Sequence, residues 1–347
     1  VKKFPFKSIA GCITAPQGFL AAGVFCDIKR LGTGKGSNKG KKRDLAMIVS
    51  QTPATVAGAF TTSQVCAAPV KICVQRIKRD AGQAIVANSG NANACTGEQG
   101  LRDAQAMSAI AARALGLEAE DVFVASTGRI GVTLPMANVK QGILAAAGLL
   151  GASEENGHHA AEAIMTSDTR PKEVAVEFEL SGKTVRLAGI CKGAGMIQPG
   201  MSPTGARPAL SPLHATMLCF ITTDAAVEAK TLQSALNEAV ANSFNRITVD
   251  GDMSTNDTVL VLANGLAANP VLKKSSVRKG TTPRDLGVFQ AALNYVCLEL
   301  AKKIVLDGEG VSRFVTVRVN GARTFADADS AARAVAAPDA RQKQAIA

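Results

Sequence analysis

Seven short stretches of this chain set hydroxyl, amide, carboxylate and ammonium groups among glycines and between apolar runs. They are NSGNANACTG (88–97), STGRIG (126–131), MTSDT (165–169), CKGAGMIQPGM (191–201), HATMLCFITTDA (214–225), TVDGDMSTNDT (248–258) and LDGEG (306–310). Taken one at a time, each glycine-rich turn is explained by steric need. Thr216 stands at the head of the apolar run Met217 to Ile221, just after a proline-rich loop, so a buried strand begins where its hydroxyl sits. Residue logic alone favours a strand-edge threonine there. Metal chemistry has little to work with: the eight cysteines contain no C-x-x-C pair and only three histidines are present. Buried, reduced thiols are favoured over a zinc site or a disulfide framework.

The elements that must carry these stretches alternate between strand and helix patterns, which predicts a mixed α/β fold. DLAMIVS, AIVANS and DVFVAST are short apolar runs bounded by turn signals, as buried strands should be. EVAVEFELSGKTVRLAGI alternates through Val174, Val176, Phe178 and Leu180, turns at Ser181 and Gly182, and alternates again through Val185 and Leu187, predicting a β-hairpin. RFVTVRVNG predicts one more strand, with Val315, Val317 and Val319 on one face. Helical spacing is clearest in DLGVFQAALNYVCLELAKKIV, where Leu286, Phe289, Leu293, Val296 and Leu300 form a core stripe. Helices are also predicted for GEQGLRDAQAMSAIAARALG, KTLQSALNEAVANSF and FADADSAARAVAA.

Composition narrows the class. With 347 residues, 47% apolar and 19% charged, the chain can bury a core and does not read as disordered. The longest apolar-plus-glycine run, near Gly142 to Ala152, is far too short to cross a bilayer. Pro5, Lys7, Pro16 and Gln17 interrupt any signal-peptide core, so a cytoplasmic protein is expected. The formal charge of +11 comes largely from two loops, one holding Lys35, Lys39, Lys41, Lys42 and Arg43 and the other Lys273, Lys274, Arg278, Lys279 and Arg284. A nucleic-acid partner is argued against by the absence of Trp and the single Tyr. The GTGKGS segment fits no phosphate-loop pattern and reads as a surface hairpin loop.

Taken together, APQGF, AGAFTTSQVCAAPV, GNANACTG, STGRIG, KGAGMI, ATMLCFITTDA, SFNRITVDGDMSTNDT and VLDGEGVSRFVTVRVNGA resemble, in this order, the ornithine acetyltransferase (glutamate N-acetyltransferase) family of arginine biosynthesis. The resemblance covers nearly the whole chain. It implies a layered sandwich of mixed β-sheets and helices, and no metal or bound cofactor. It also implies a precursor that cuts itself between Ala215 and Thr216, giving pieces 1–215 and 216–347 that associate as a heterotetramer of two α and two β chains. The β-branch of Thr216 would help hold its hydroxyl in line with the preceding carbonyl. The new α-amine, with a pKa of about 7.7 to 8.0, would then serve as base to the neighbouring hydroxyl.

The implied reaction is ping-pong. Thr216 takes the acetyl group from N2-acetylornithine and passes it to glutamate, while Thr127 and Gly128 stabilise the tetrahedral oxyanion. Thr166, Lys192, Thr216 and Glu309 match family substrate-binding positions. Without the resemblance, Lys192 and Glu309 read as surface charges. Two features depart from the family pattern. SPTGARPALSPLH (202–214) is inserted before the scissile bond, and the expected C-terminal Asn-Trp-Gly-Arg segment is not present. His214 beside Ala215 reads as an ordinary loop histidine. Three alternatives stay open: an enzyme that also loads Thr216 from acetyl-CoA, a self-processing hydrolase, and an uncleaved protein that binds polyanions through its basic loops.

Overall fold

The computed structural model describes residues 5–32, 42–205, 217–252, 254–274 and 284–336. Ten strands and eight α-helices run along the described chain in the order β1 (Phe6–Ser8), β2 (Phe19–Val24), α1 (Ile28–Gly32), β3 (Leu45–Thr61), α2 (Ala68–Arg76), β4 (Ala81–Asn91), α3 (Gly97–Leu115), β5 (Val122–Arg129), α4 (Met136–Gly148), α5 (Glu154–Ile164), β6 (Lys172–Leu180), β7 (Lys183–Lys192), β8 (Met201–Ser202), β9 (Leu218–Thr223), α6 (Ala229–Ala241), β10 (Thr258–Ala263), α7 (Arg284–Leu306) and α8 (Phe325–Ala336). The strands join into one sheet in the order β1-β6-β7-β9-β10-β3-β4-β5, with β2 and β8 also on β3. The predicted mixed α/β class holds: β9 with β10 and β4 with β5 run parallel, and the other pairs are antiparallel.

The sheet is continuous because β3 serves two neighbourhoods. Its first part, from Leu45, pairs with β2 and β4, the register with β4 shifts between Val49 and Ala54, and Thr55 to Phe60 pair with β10. Such a bulge bends a strand and increases its twist. Side chains then alternate between two cores. Leu218, Phe220, Leu260 and Leu262 pack with the apolar residues of β2–β5 and α2–α5. Cys219, Ile221, Val259 and Val261 face the other way, against Leu232 and Leu236 of α6 and Phe289, Leu293, Val296 and Leu300 of α7. The helical stripe foreseen in α7 is therefore a core stripe, with Leu286 only half-buried. The hairpin β6–β7 turns where expected, with Ser181 and Gly182 at φ +48° and +76°, as a two-residue primed turn requires.

The structure corrects two expectations. Residues 313–319 form no strand: the backbone is irregular, and Phe314 and Val315 are exposed. Alternation makes a strand only where a partner edge can pair its backbone, and none of the ten described strands pairs with this segment. The cysteines are not uniformly buried, since Cys95 is exposed and Cys66 half-buried. No helix among the described residues is long and apolar enough to cross a membrane. Lys35, Lys39, Lys41, Arg278, Lys279 and the GTGKGS loop beyond Gly32 lie outside the described residues, as do His214, Ala215 and Thr216.

Candidate active site

Thr127 and Gly128 sit near the end of β5, where the ladder with β4 becomes irregular at Gly90 and Asn91. Gly128 has φ +131°, and a Cβ there would lie 2.4 Å from the Gly90 carbonyl carbon, so only glycine fits the turn. Across the sheet, β7 ends at Lys192, whose Nζ reaches within 3.4 Å of Thr127 Oγ1. An ammonium can only donate, so the Thr127 hydroxyl accepts from Lys192 and keeps its own proton for another partner.

Lys192 is 2% exposed, not the surface charge its residue type suggested. A carboxylate network makes that burial possible. Asp168 Oδ2 lies 3.9 Å from Lys192 Nζ and accepts the Thr166 N–H at 3.0 Å. Asp168 Oδ1 accepts from Lys172 Nζ at 2.6 Å and the Gly193 N–H at 2.7 Å. Lys172 also donates to Asp307 at 2.5 Å, and Asp307 takes both the N–H and the hydroxyl of Thr169. Burial works to raise the Asp168 carboxyl, but Lys192 and Lys172 outweigh it and hold it well below the usual carboxylate range. Burial pushes Lys192 down from its ordinary value, with Asp168 opposing.

The anchored Asp307 carries Glu309 with it. The Glu309 N–H donates to the Ala194 carbonyl at 2.6 Å, and a Cβ on Gly195 would come within 2.8 Å of the Glu309 carboxyl. KGAGM and DGEG, more than a hundred residues apart, thus make one corner. That corner is clamped from below by Asp250, which accepts the N–H groups of Met196 at 2.5 Å and Ile197 at 2.8 Å.

These pieces enclose a cleft of about 330 Å³ whose walls include Thr127, Gly128, Thr166, Lys192 and Glu309. All the described site residues predicted from sequence are therefore brought together. Asn256 also lines the cleft, and its amide donates to the carbonyls of Ala92 at 2.7 Å and Ser126 at 2.8 Å. Thr216 is outside the described residues, but its neighbour Met217 is fully buried and donates its N–H to Asp257 Oδ1 at 2.5 Å. Burial raises the Asp257 carboxyl well above its usual range, although the Met217 N–H and Lys192 favour its charged form. Its Oδ2 has no hydrogen-bond partner among the described residues.

Residue reasoning assigned no role to Asp168, Lys172, Asp257, Asn256 or Asp307. All but Lys172 lie inside the motifs MTSDT, TVDGDMSTNDT and LDGEG, and Lys172 follows Asp168 by four residues, which was the available signal. Among the described residues no group of His, Cys, Asp and Glu is arranged to hold a metal ion.

A polar cleft at strand ends, walled by a buried lysine–carboxylate network and a glycine-dependent turn, is the construction of an enzyme site. Residues 23–346 match the ArgJ family, and the chain belongs to that family, the acyltransferases of arginine biosynthesis. It is 51% identical over 327 residues to the arginine biosynthesis bifunctional protein ArgJ of Symbiobacterium thermophilum, covering 94% of this chain and 74% of that one. Among solved structures, it resembles the ArgJ bifunctional protein of Bacillus halodurans with a TM-score of 0.53 and 38% identity, over 57% of this chain and 98% of that chain. The ornithine acetyltransferase of Mycobacterium tuberculosis, solved with ornithine, gives a TM-score of 0.51 and 36% identity over 57% of this chain and all of that one.

Proposed function

We propose that this chain cleaves itself between Ala215 and Thr216 and then moves an acetyl group from N2-acetylornithine to glutamate through an acetyl-Thr216 enzyme. The observation that carries this reading is the convergence of Thr127, Gly128, Thr166, Lys192 and Glu309 on one cleft, where Lys192 pairs with Leu218, the first residue of β9 and two residues after Thr216. A second observation supports the cleavage. In both structural likenesses, a little over half of this chain accounts for essentially the whole solved chain, as expected of a product in two pieces.

In the first half-reaction the Thr216 oxygen attacks the acetyl carbonyl. Its proton passes to the α-amine and on to the departing ornithine nitrogen; a C–O bond forms and the C–N bond breaks. The negative charge developing on the carbonyl oxygen is met by the Gly128 N–H and by the Thr127 hydroxyl, whose own oxygen is polarised by Lys192. Lys192 also offers a cation to the α-carboxylate that donor and acceptor share. Glu309 suits the side-chain ammonium of the ornithine moiety. In the second half-reaction the glutamate amine attacks the ester, the C–O bond breaks and the proton returns to Thr216.

The test is intact mass spectrometry of wild type and Thr216→Ala, with and without N2-acetylornithine. Two pieces in wild type, an acetyl adduct on the piece beginning at Thr216 and a single unmodified chain in the variant are expected. One intact chain in both proteins overturns the reading. Loading from acetyl-CoA is the second reading, favoured by the bifunctional name of the 51% identical relative. An acetyl adduct formed from acetyl-CoA alone checks it. The cleaved pieces are proposed to assemble as two α and two β chains, which the native mass checks.

A further inference from the structure

A second cleft, of about 270 Å³, adjoins the first at Thr166, which lines both. Its charged walls are Lys29, Lys42, Arg43, Glu162 and Asp168. Pairing within the protein accounts for three of these. Arg43 holds Glu162 at 2.7 Å, and Asp168 is engaged by Lys172 at 2.6 Å.

Lys29 and Lys42 are left over. Lys29 is only 6% exposed, yet the acceptor for its Nζ among the described residues is the Arg43 carbonyl, at 2.5 Å. The nearby Asp44 spends its two oxygens on the backbone N–H groups of Cys26 and Lys29. Lys42 is exposed at the cleft and has no ion pair among the described residues. A buried ammonium without a contacting carboxylate is costly unless an anion arrives. Burial lowers the Lys29 pKa to about 8, with Asp44 opposing and Lys42 adding to the depression.

Position makes this charge relevant to the acetyl site. A Cβ on Gly128 would strike the Gly90 backbone at 2.4 Å, and one on Gly90 would strike Lys29 Cα at 2.6 Å. Only the backbone at Gly90 therefore stands between Lys29 and the oxyanion turn. The proposed donor and acceptor share an α-carboxylate and differ at the far end of the side chain, ammonium in one and carboxylate in the other. Glu309 serves the first and repels the second. A single side-chain subsite cannot favour both.

We propose that Lys29 and Lys42 form a separate subsite for the side-chain carboxylate of the acceptor glutamate, in the cleft that shares Thr166 with the one Glu309 lines. This rests on the acetyl-transfer reading above. The shared chemistry is anion binding, and the phosphates of a coenzyme A donor are the other source of such an anion.

The experiment compares wild type, Lys42→Gln and Lys29→Met, with the exposed Lys42 as the variant that leaves the core untouched. Acetyl-enzyme is formed from N2-acetylornithine, then discharged with glutamate or with its uncharged analogue glutamine. The expected result is a glutamate preference of at least about tenfold in wild type that shrinks severalfold in each variant, through a higher glutamate KM relative to any change in the donor half-reaction. An undiminished preference overturns the subsite while leaving acetyl transfer standing. Loss of loading from acetyl-CoA with glutamate preference intact also overturns it, in favour of phosphate. Should wild type form no acetyl-enzyme, the acetyl-transfer reading fails, and calorimetric titration of the three proteins with glutamate and glutamine still decides the subsite. Glutamate-selective binding weakened in both variants supports it, and equal or absent binding refutes it.

Discussion

The Thr127 side chain holds the most chemistry for its size, because its hydroxyl accepts from Lys192 and so is free to donate into the cleft. Thr127→Val keeps the shape and removes the donor. Steady-state kinetics should show kcat falling by about 100- to 1,000-fold with a much smaller change in donor KM. Asp168 belongs to the same network but matters first for stability. Its folded pKa is depressed, so the folded state binds its proton less tightly than the unfolded chain, which titrates near about 3.9. The stabilisation is complete above that range and is lost as pH falls through and below it. Asp168→Asn should cost about 3 to 5 kcal/mol at neutral pH, because Lys192 becomes a buried cation without its carboxylate. Thermal melts should show the gap between wild type and variant closing below about pH 4. Asp257 titrates with the opposite sign, its burial favouring the protonated form, but it is common to both proteins and drops out of the difference.

At the scale of elements, the site is made by endings: β5 at Arg129, β7 at Lys192, and the turn that follows α7. Two glycines in these endings should respond differently to the same substitution. A methyl on Gly128 meets the backbone of Gly90 and Asn91, which cannot yield without breaking the β4–β5 register. Gly128→Ala should lower the melting temperature and abolish turnover together. A methyl on Gly195 meets the carboxyl end of Glu309, a flexible side chain on the surface. Gly195→Ala should melt near wild type and show its effect in donor KM, as judged by melts and kinetics on one preparation.

At the scale of the molecule, the proposed cut divides a sheet that is not divided in space. β9 and β10, both in the piece beginning at Thr216, lie side by side between β7 and β3 of the preceding piece. Separating the pieces would break two ladders and expose both cores to water. Cleaved protein should therefore run as one species in size-exclusion chromatography and unfold in denaturant in one cooperative transition, the pieces parting only then. Two transitions, or pieces eluting apart under native conditions, would contradict this.

Much of this protein was legible before any coordinate. Period-two and period-3.6 patterns located the β6–β7 hairpin and the α3, α6 and α7 helices, because a face that must be buried leaves its spacing in the chain. Motif order carried the family and pointed to Thr127, Gly128, Thr166, Lys192 and Glu309, which the fold brings to one cleft. Local pattern could not say that Lys192 is buried, that 313–319 lacks a partner edge, or that the Asp168, Lys172 and Asp307 network holds the cleft together. Lys192 is compensated by Asp168 and Thr127 on other elements, and the network closes only where Lys172 meets Asp307, 135 residues away. Spacing along a chain records which face an element hides, whereas pairing, charge compensation and the two clefts that share Thr166 exist only once distant segments meet.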